Sequence, residues 1–86
     1  MKNDPFNEAV RFELGQRIKS LREAQGLSLR TFALMAGINT SYLVAVEHGR
    51  RNVSIDNLAN IAVALGTTLS SMFEGVDGTL PASEGK

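Results

Sequence analysis

Eighty-six residues suffice for one domain with one core, because a chain near this size buries only about 60% of the surface it exposes when unfolded. With 43% hydrophobic residues, two prolines and no cysteine, it needs no disulfide framework and offers no thiolate metal site, and a reducing cytoplasm suits it. Formal net charge is zero, apolar runs are short, with Ile61 to Leu65 among the longest, and no apolar stretch follows the Met-Lys start, so the sequence predicts a soluble, unexported protein with no membrane span.

Asp4-Pro5 reads as a helix opening, with Asp as the cap and Pro at the first helical position, where its missing N–H costs nothing. Phe6, Val10, Leu14, Ile18 and Leu21 then recur at three- and four-residue steps, one apolar stripe that runs to Gln25 before Gly26 stops it. Gly15 is where this long first helix would kink or divide. Ser28 caps a second helix through about Ala36, with Phe32 and Ala33 inward, and Gly37 supplies a left-handed turn residue that other side chains resist. Asn39 caps a third helix, Thr40 to His48, with Leu43 and Val46 inward and Ile38 packing ahead of the cap; Gly49 stops it. Ser54 caps a fourth, in which Ile55, Leu58, Ile61, Ala62 and Leu65 hold a helical period up to Gly66. Leu69, Met72 and Phe73 suggest a short fifth helix, and beyond Gly75 the stretch VDGTLPASEGK carries no periodicity and reads as disordered. The chain thus divides into an N-terminal helical extension with the start of helix 1 (1–17), a central domain (18–73) and a tail (74–86).

Zero net charge conceals an uneven distribution. Residues 11 to 60 carry seven basic side chains, Arg11, Arg17, Lys19, Arg22, Arg30, Arg50 and Arg51, against four acidic ones, Glu13, Glu23, Glu47 and Asp56, which leaves +3, and the ends carry the compensating acids. A positive middle between acidic ends permits anion binding. Within it, Ala33 is small enough for a close helix approach, Gly37 allows a tight turn and Ile38 closes the space beneath, the pattern of two helices crossing at roughly 90–120°.

Further residues sharpen that reading. Leu21-Arg22 before Gly26-Leu27-Ser28, the Ala36-Gly37-Ile38 turn, Tyr42-Leu43, Val46-Glu47, Gly49-Arg50-Arg51-Asn52 and Leu58 to Gly66 ending in ALG occur in one gapless order over residues 18 to 73. In this the chain resembles the Xre or Cro/C1-type helix-turn-helix domains of phage repressors and restriction-modification controller proteins. The resemblance implies an all-α, lambda-repressor-like fold of five helices that binds double-stranded DNA, usually as a homodimer on a palindromic operator. It also implies an ion pair between Arg22 and Glu47, a recognition helix entering the major groove, and a loop from Gly49 to Asn52 lying along the sugar-phosphate backbone.

On that basis Asn39, Thr40, Ser41, Val44 and Ala45 are the candidate base contacts. Asn can pair with adenine, hydroxyls serve several base edges, and Val or Ala can meet a thymine methyl. Asn39 also reads as a helix cap and Val44 as surface packing. Arg50 and Arg51 are the leading phosphate contacts, because a guanidinium donates two hydrogen bonds in a fork, and the start of helix 4 offers free N–H groups. Arg30, Thr31 and Tyr42 rank second, and Asn52 serves either DNA or the turn into helix 4. His48, the one histidine, reads as an exposed cap at a helix end.

Two departures from the family stand out. Helix 2 begins with Leu29 where relatives commonly carry a DNA-reaching glutamine, and its exposed face carries Leu34 and Met35. Apolar side chains there need a cover, either the N-terminal extension with Phe6 and Phe12 or a partner. The leading function is a sequence-specific DNA-binding regulator, a repressor by default. The alternative is a protein-interaction module or an antitoxin-type regulator on the same fold. No catalytic residues, cofactor or metal are expected, since a single His without Cys, phosphate-cradling Gly loop or paired carboxylates leaves no site to assemble.

Overall fold

The computed structural model describes residues 4–79, so the expected disorder of the tail lies outside the described residues from position 80 onward. Among those described, regular structure consists of five helices: α1 (Pro5–Ala24), α2 (Leu29–Ala36), α3 (Thr40–Glu47), α4 (Ile55–Leu65) and α5 (Leu69–Met72). Each start is set by one side chain that accepts an otherwise orphaned N–H. Asp4 accepts from Phe6 at 2.8 Å, Ser28 from Thr31 at 3.0 Å, Ser54 from Asn57 at 3.1 Å and Thr68 from Ser71 at 3.0 Å. Asn39 caps α3 twice over, its side-chain oxygen accepting from the amides of Ser41 at 2.8 Å and Tyr42 at 3.3 Å. Asn39→Ala should therefore cost about 1 kcal/mol in urea unfolding and weaken DNA binding as the first turn of α3 frays.

Gly15 neither kinks nor divides α1, which runs unbroken for 20 residues. Its function is clearance. A Cβ at Gly15 would lie 2.6 Å from the carbonyl oxygen of Glu47 and closer still to that of Val46, so α1 meets the end of α3 backbone to backbone. This close approach also shifts the inward stripe of α1. Ala9, Leu14, Gly15, Ile18 and Arg22 are buried, whereas Phe6, expected to face inward, is 58% exposed. The buried side follows the helices that α1 packs against, α3 and α5, more closely than it follows apolar character.

The core gathers Leu14 and Ile18 of α1, Phe32, Ala33 and Ala36 of α2, Leu43 and Val46 of α3, Leu58, Ile61, Ala62 and Leu65 of α4, and Met72 of α5. Phe32, Ile18, Leu43, Ile61 and Met72 are its fully buried large side chains, and burial of each such group stabilises by about 1.5–3 kcal/mol. Ile55 stays outside, 70% exposed, because the first residue of α4 precedes the turn that reaches the core. In α5 only Met72 closes the core; Leu69 and Phe73 remain partly open.

Polar ties hold the outer helices to this core. The Arg17 guanidinium donates to the carbonyl of Ser71 at 2.9 and 3.1 Å and meets Glu74 at 3.1 Å, fixing α1 to α5. Gln25 donates to the carbonyl of Leu65 at 2.8 Å. Residues 76–79, which composition alone leaves unstructured, lie along α1: Glu13 accepts the amides of Asp77 and Gly78, each at 2.8 Å, and Val76 packs on the core.

Candidate nucleic-acid interface

The chain direction changes by 107° between α2 and α3. Gly37 makes that possible at φ 70°, with its amide donating back to Leu34 and that of Ile38 to Ala33. Ala33 is buried at the crossing, so α3 lies across α2 with little between them. The inner residues Leu43 and Val46 anchor α3 in the core, and its opposite side faces outward.

Arg22 and Glu47 lock the far end of α3. The Arg22 Nε donates to Glu47 Oε2 at 2.7 Å, its Nη2 to Oε1 at 3.0 Å, and its Nη1 to the carbonyl of Leu27 at 2.8 Å. Both side chains are buried, and each guanidinium nitrogen and carboxylate oxygen has a hydrogen-bond partner. The Glu47 hydrogen bond holds the Arg22 guanidinium above its ordinary pKa, outweighing the opposing effect of burial.

Asn39, Thr40 and Ser41 are exposed at the start of α3. Val44 and Ala45, expected to point outward, are half-buried one turn further along. Because the Asn39 carboxamide oxygen is committed to two backbone amides, only its NH2 remains to meet a base; the bidentate pairing with adenine would require both groups. The open surface of α3 therefore offers one amide donor and two hydroxyls ahead of small apolar groups. His48 turns back on its own helix, with Nδ1 2.8 Å from the carbonyl of Val44.

Arg50, Arg51 and Asn52 follow in an exposed loop, and Tyr42 organises it. The Arg51 guanidinium lies over the Tyr42 ring, 5.1 Å from its centroid. The Tyr42 hydroxyl accepts from the Asn57 side chain at 3.2 Å and donates to the backbone carbonyl of Asn52 at 3.5 Å, so one phenol ties α3, the loop and α4 together. Nothing in the sequence signals this bridge, and Tyr42 reads there only as a phosphate contact. The N-terminus of α4 is a poorer anion site than its position suggests, since Asp56 lies in its first turn and Ser54 already accepts the Asn57 amide.

Arg30 and Thr31 are exposed at the start of α2. Among the described residues Arg11, Lys19, Arg30, Arg50 and Arg51 have no acidic partner within salt-bridge distance, whereas Arg17 and Arg22 are held by Glu74 and Glu47. Leu34 and Met35 are 81% and 52% exposed, and no described residue of the N-terminal extension covers them. Its described residues pack elsewhere, with the backbone of Phe12 against Gly49 and the Phe6 ring beside Gly78. No single helix among the described residues is long and apolar enough to cross a membrane.

Two helices joined at a steep angle by a left-handed glycine, the second presenting an open polar start beside exposed arginines, define a helix-turn-helix DNA-binding domain. The chain belongs to the helix-turn-helix family, whose model matches residues 18–71, and is a DNA-binding transcriptional regulator. It is 36% identical over 69 residues to control protein C.MunI of Mycoplasma sp, a match covering 79% of this chain and 93% of that protein. It is 37% identical over 65 residues to the HTH-type transcriptional regulator DdrOP3 of Deinococcus deserti, where the match covers 76% of this chain but spans only 50% of the relative. Among solved structures, the restriction-modification controller protein C.AhdI of Aeromonas hydrophila superposes with a TM-score of 0.71 at 42% identity, covering 72% of this chain and 94% of that one.

Proposed function

We propose that the protein is a cytoplasmic repressor that binds a palindromic operator as a homodimer, the α3 helices of the two copies entering successive major grooves about 34 Å apart. The observation that carries this reading is the open start of α3, with Thr40 and Ser41, set beside the exposed Arg50 and Arg51 on a loop braced by Tyr42. In this reading Asn39, Thr40, Ser41, Val44 and Ala45 meet bases, while Arg30, Thr31, Tyr42, Arg50, Arg51 and Asn52 meet the backbone. With no long cationic side chain on α3, phosphate contacts supply most of the affinity. C.MunI and C.AhdI, both spanned almost completely by this chain, are named as controller proteins, which supports regulation of a restriction-modification locus as the biological setting. Leu69 and Phe73, left partly open beside the buried Met72, supply the apolar surface for the dimer.

The test is a salt-titrated gel shift on the protein's own upstream DNA. Log affinity falls linearly with log salt, and Arg50→Ala or Arg51→Ala makes the slope shallower by about 0.9 for each phosphate that is no longer neutralised. A slope that neither substitution changes would remove the loop from the interface. The second reading, a protein-interaction module or an antitoxin-type regulator, is favoured by the exposed Leu34 and Met35 on α2. It prevails if duplex DNA is not bound even at low salt and a defined protein partner ceases to bind on Leu34→Glu.

A further inference from the structure

The first half of α1 takes no part in the interface proposed so far, yet it meets the basic loop directly. Gly49, at φ 75°, begins that loop, and a Cβ on it would lie 2.8 Å from the Cα of Phe12. The absence of a side chain at Gly49 therefore lets the α1 backbone rest on the loop and brings the neighbouring residue, Arg11, to the same cleft as Arg51. Arg11 and Arg51 line one shallow cleft of about 160 Å³, whose walls are largely the apolar side chains of Val10, Leu14, Val53 and Phe73. Arg11 is half-buried and has no acidic partner within salt-bridge distance among the described residues.

Two like charges lining one cleft repel each other, and an opposite charge brought to that cleft relieves the repulsion. An apolar wall suits the aliphatic stem of an arginine and not its guanidinium, which turns to water or to an anion. An anion taken by Arg11 removes the conflict. On the reading that the Gly49–Asn52 loop follows the DNA backbone, that anion is a backbone phosphate beside the one Arg51 engages. We propose that the N-terminal extension is part of the DNA interface, with Arg11 holding a phosphate of the duplex next to the Arg51 contact. The extension then has a physical purpose: it lengthens the phosphate track of a recognition helix that carries no cation of its own.

The test uses the full chain and a mixed-sequence duplex of about 30 base pairs, roughly three turns and so long enough for two half-sites, labelled for fluorescence anisotropy and titrated across a salt series. For Arg11→Gln, which removes the charge but keeps most of the stem, the log–log salt slope becomes shallower by about 0.9 for each Arg11 engaged, about 1.8 when two copies bind, by the counterion-release relation. The change is equal on mixed-sequence and upstream DNA, because phosphate contacts carry no base information. Arg11→Lys keeps the wild-type slope. Thermal unfolding of Arg11→Gln close to that of wild type accompanies that result, and a large drop in unfolding temperature with unchanged slope means that Arg11 is a packing residue and overturns the proposal. An unchanged slope in Arg11→Gln beside a shallower one in Arg51→Gln overturns it too, and leaves the loop's role standing. Failure of the wild-type chain to bind duplex at low salt removes the underlying DNA reading itself.

Discussion

Replacing Glu47 by Gln should destabilise the protein by about 3–5 kcal/mol, the cost of removing one partner from a buried, fully hydrogen-bonded ion pair. Glu47 accepts two charge-assisted bonds, from Arg22 Nε at 2.7 Å and Nη2 at 3.0 Å, and an amide can accept only one of them while turning its own NH2 toward a second donor. The guanidinium left behind is buried and keeps its charge, so it cannot relieve the conflict by titrating. In the intact pair Glu47 raises the folded-state pKa of Arg22, so the stabilisation is fully present below the unfolded value and is lost only as pH climbs through the still higher folded one, beyond ordinary working conditions. For a domain of this size each kcal/mol moves the unfolding temperature by about 4–8 °C, which puts the expected drop at about 12 °C or more by calorimetry. Arg22→Met with Glu47→Leu should recover much of the stability, since an apolar pair of similar volume carries no desolvation penalty. If the double variant proves as unstable as the single one, the pair matters through its shape and not its charge, and the cycle of four proteins measures which.

The functional consequence follows from position. Glu47 is the last residue of α3 and Arg22 lies in the last turn of α1, so the pair joins the recognition helix to the longest rigid element of the fold. DNA affinity of the single variants should fall with the folded fraction and then further, because α3 loses its fixed angle even in molecules that remain folded.

How much of this is legible in the sequence depends on the range of each interaction. Ser28, Asn39 and Ser54 cap their helices through backbone amides two or three residues on, and Gly37 and Gly66 turn the chain by their own φ, so these boundaries are legible locally. Periodicity shows which residues form a stripe but not where the core stops covering it, and Phe6 and Ile55 accordingly belong to inward stripes although both are exposed. The Arg22–Glu47 pair is legible only through resemblance, since nothing local marks two charges that far apart as partners. The same holds for the interface: the arginine loop stands out as a motif, whereas the Tyr42 bridge to Asn57 and the seating of Phe12 on Gly49 depend on tertiary placement. Gly15, in the middle of a strong helical pattern, is the sequence mark of the close approach between α1 and α3, and by propensity alone it reads as a breaker.

That glycine yields the second large effect. In an exposed helix interior Gly→Ala gains about 1 kcal/mol, because alanine loses less backbone entropy and has the best helix propensity. Gly15→Ala should do the reverse and cost about 1–3 kcal/mol net, the range for forcing extra volume into a packed site. The new methyl would sit 2.6 Å from the Glu47 carbonyl oxygen, and both groups it strikes are backbone, unable to swing aside like a side chain. Relief requires α1 to lift from the end of α3, which lengthens the Arg22–Glu47 hydrogen bonds and loosens the weak 3.5 Å bond from the Gln16 amide to the same carbonyl. Because the clash and the ion pair share Glu47, the destabilisations from Gly15→Ala and Glu47→Gln should sum to less than their separate values, a coupling that urea unfolding of the double variant measures directly. A glycine in open space is the control: Gly66, at φ 67° with nothing near its missing Cβ, meets only the backbone cost of a left-handed alanine, about 1–2 kcal/mol, and shows no coupling to Glu47. Gly15→Ala that stabilises the protein, as helix propensity alone demands, would mean that α1 and α3 do not meet at this distance in solution.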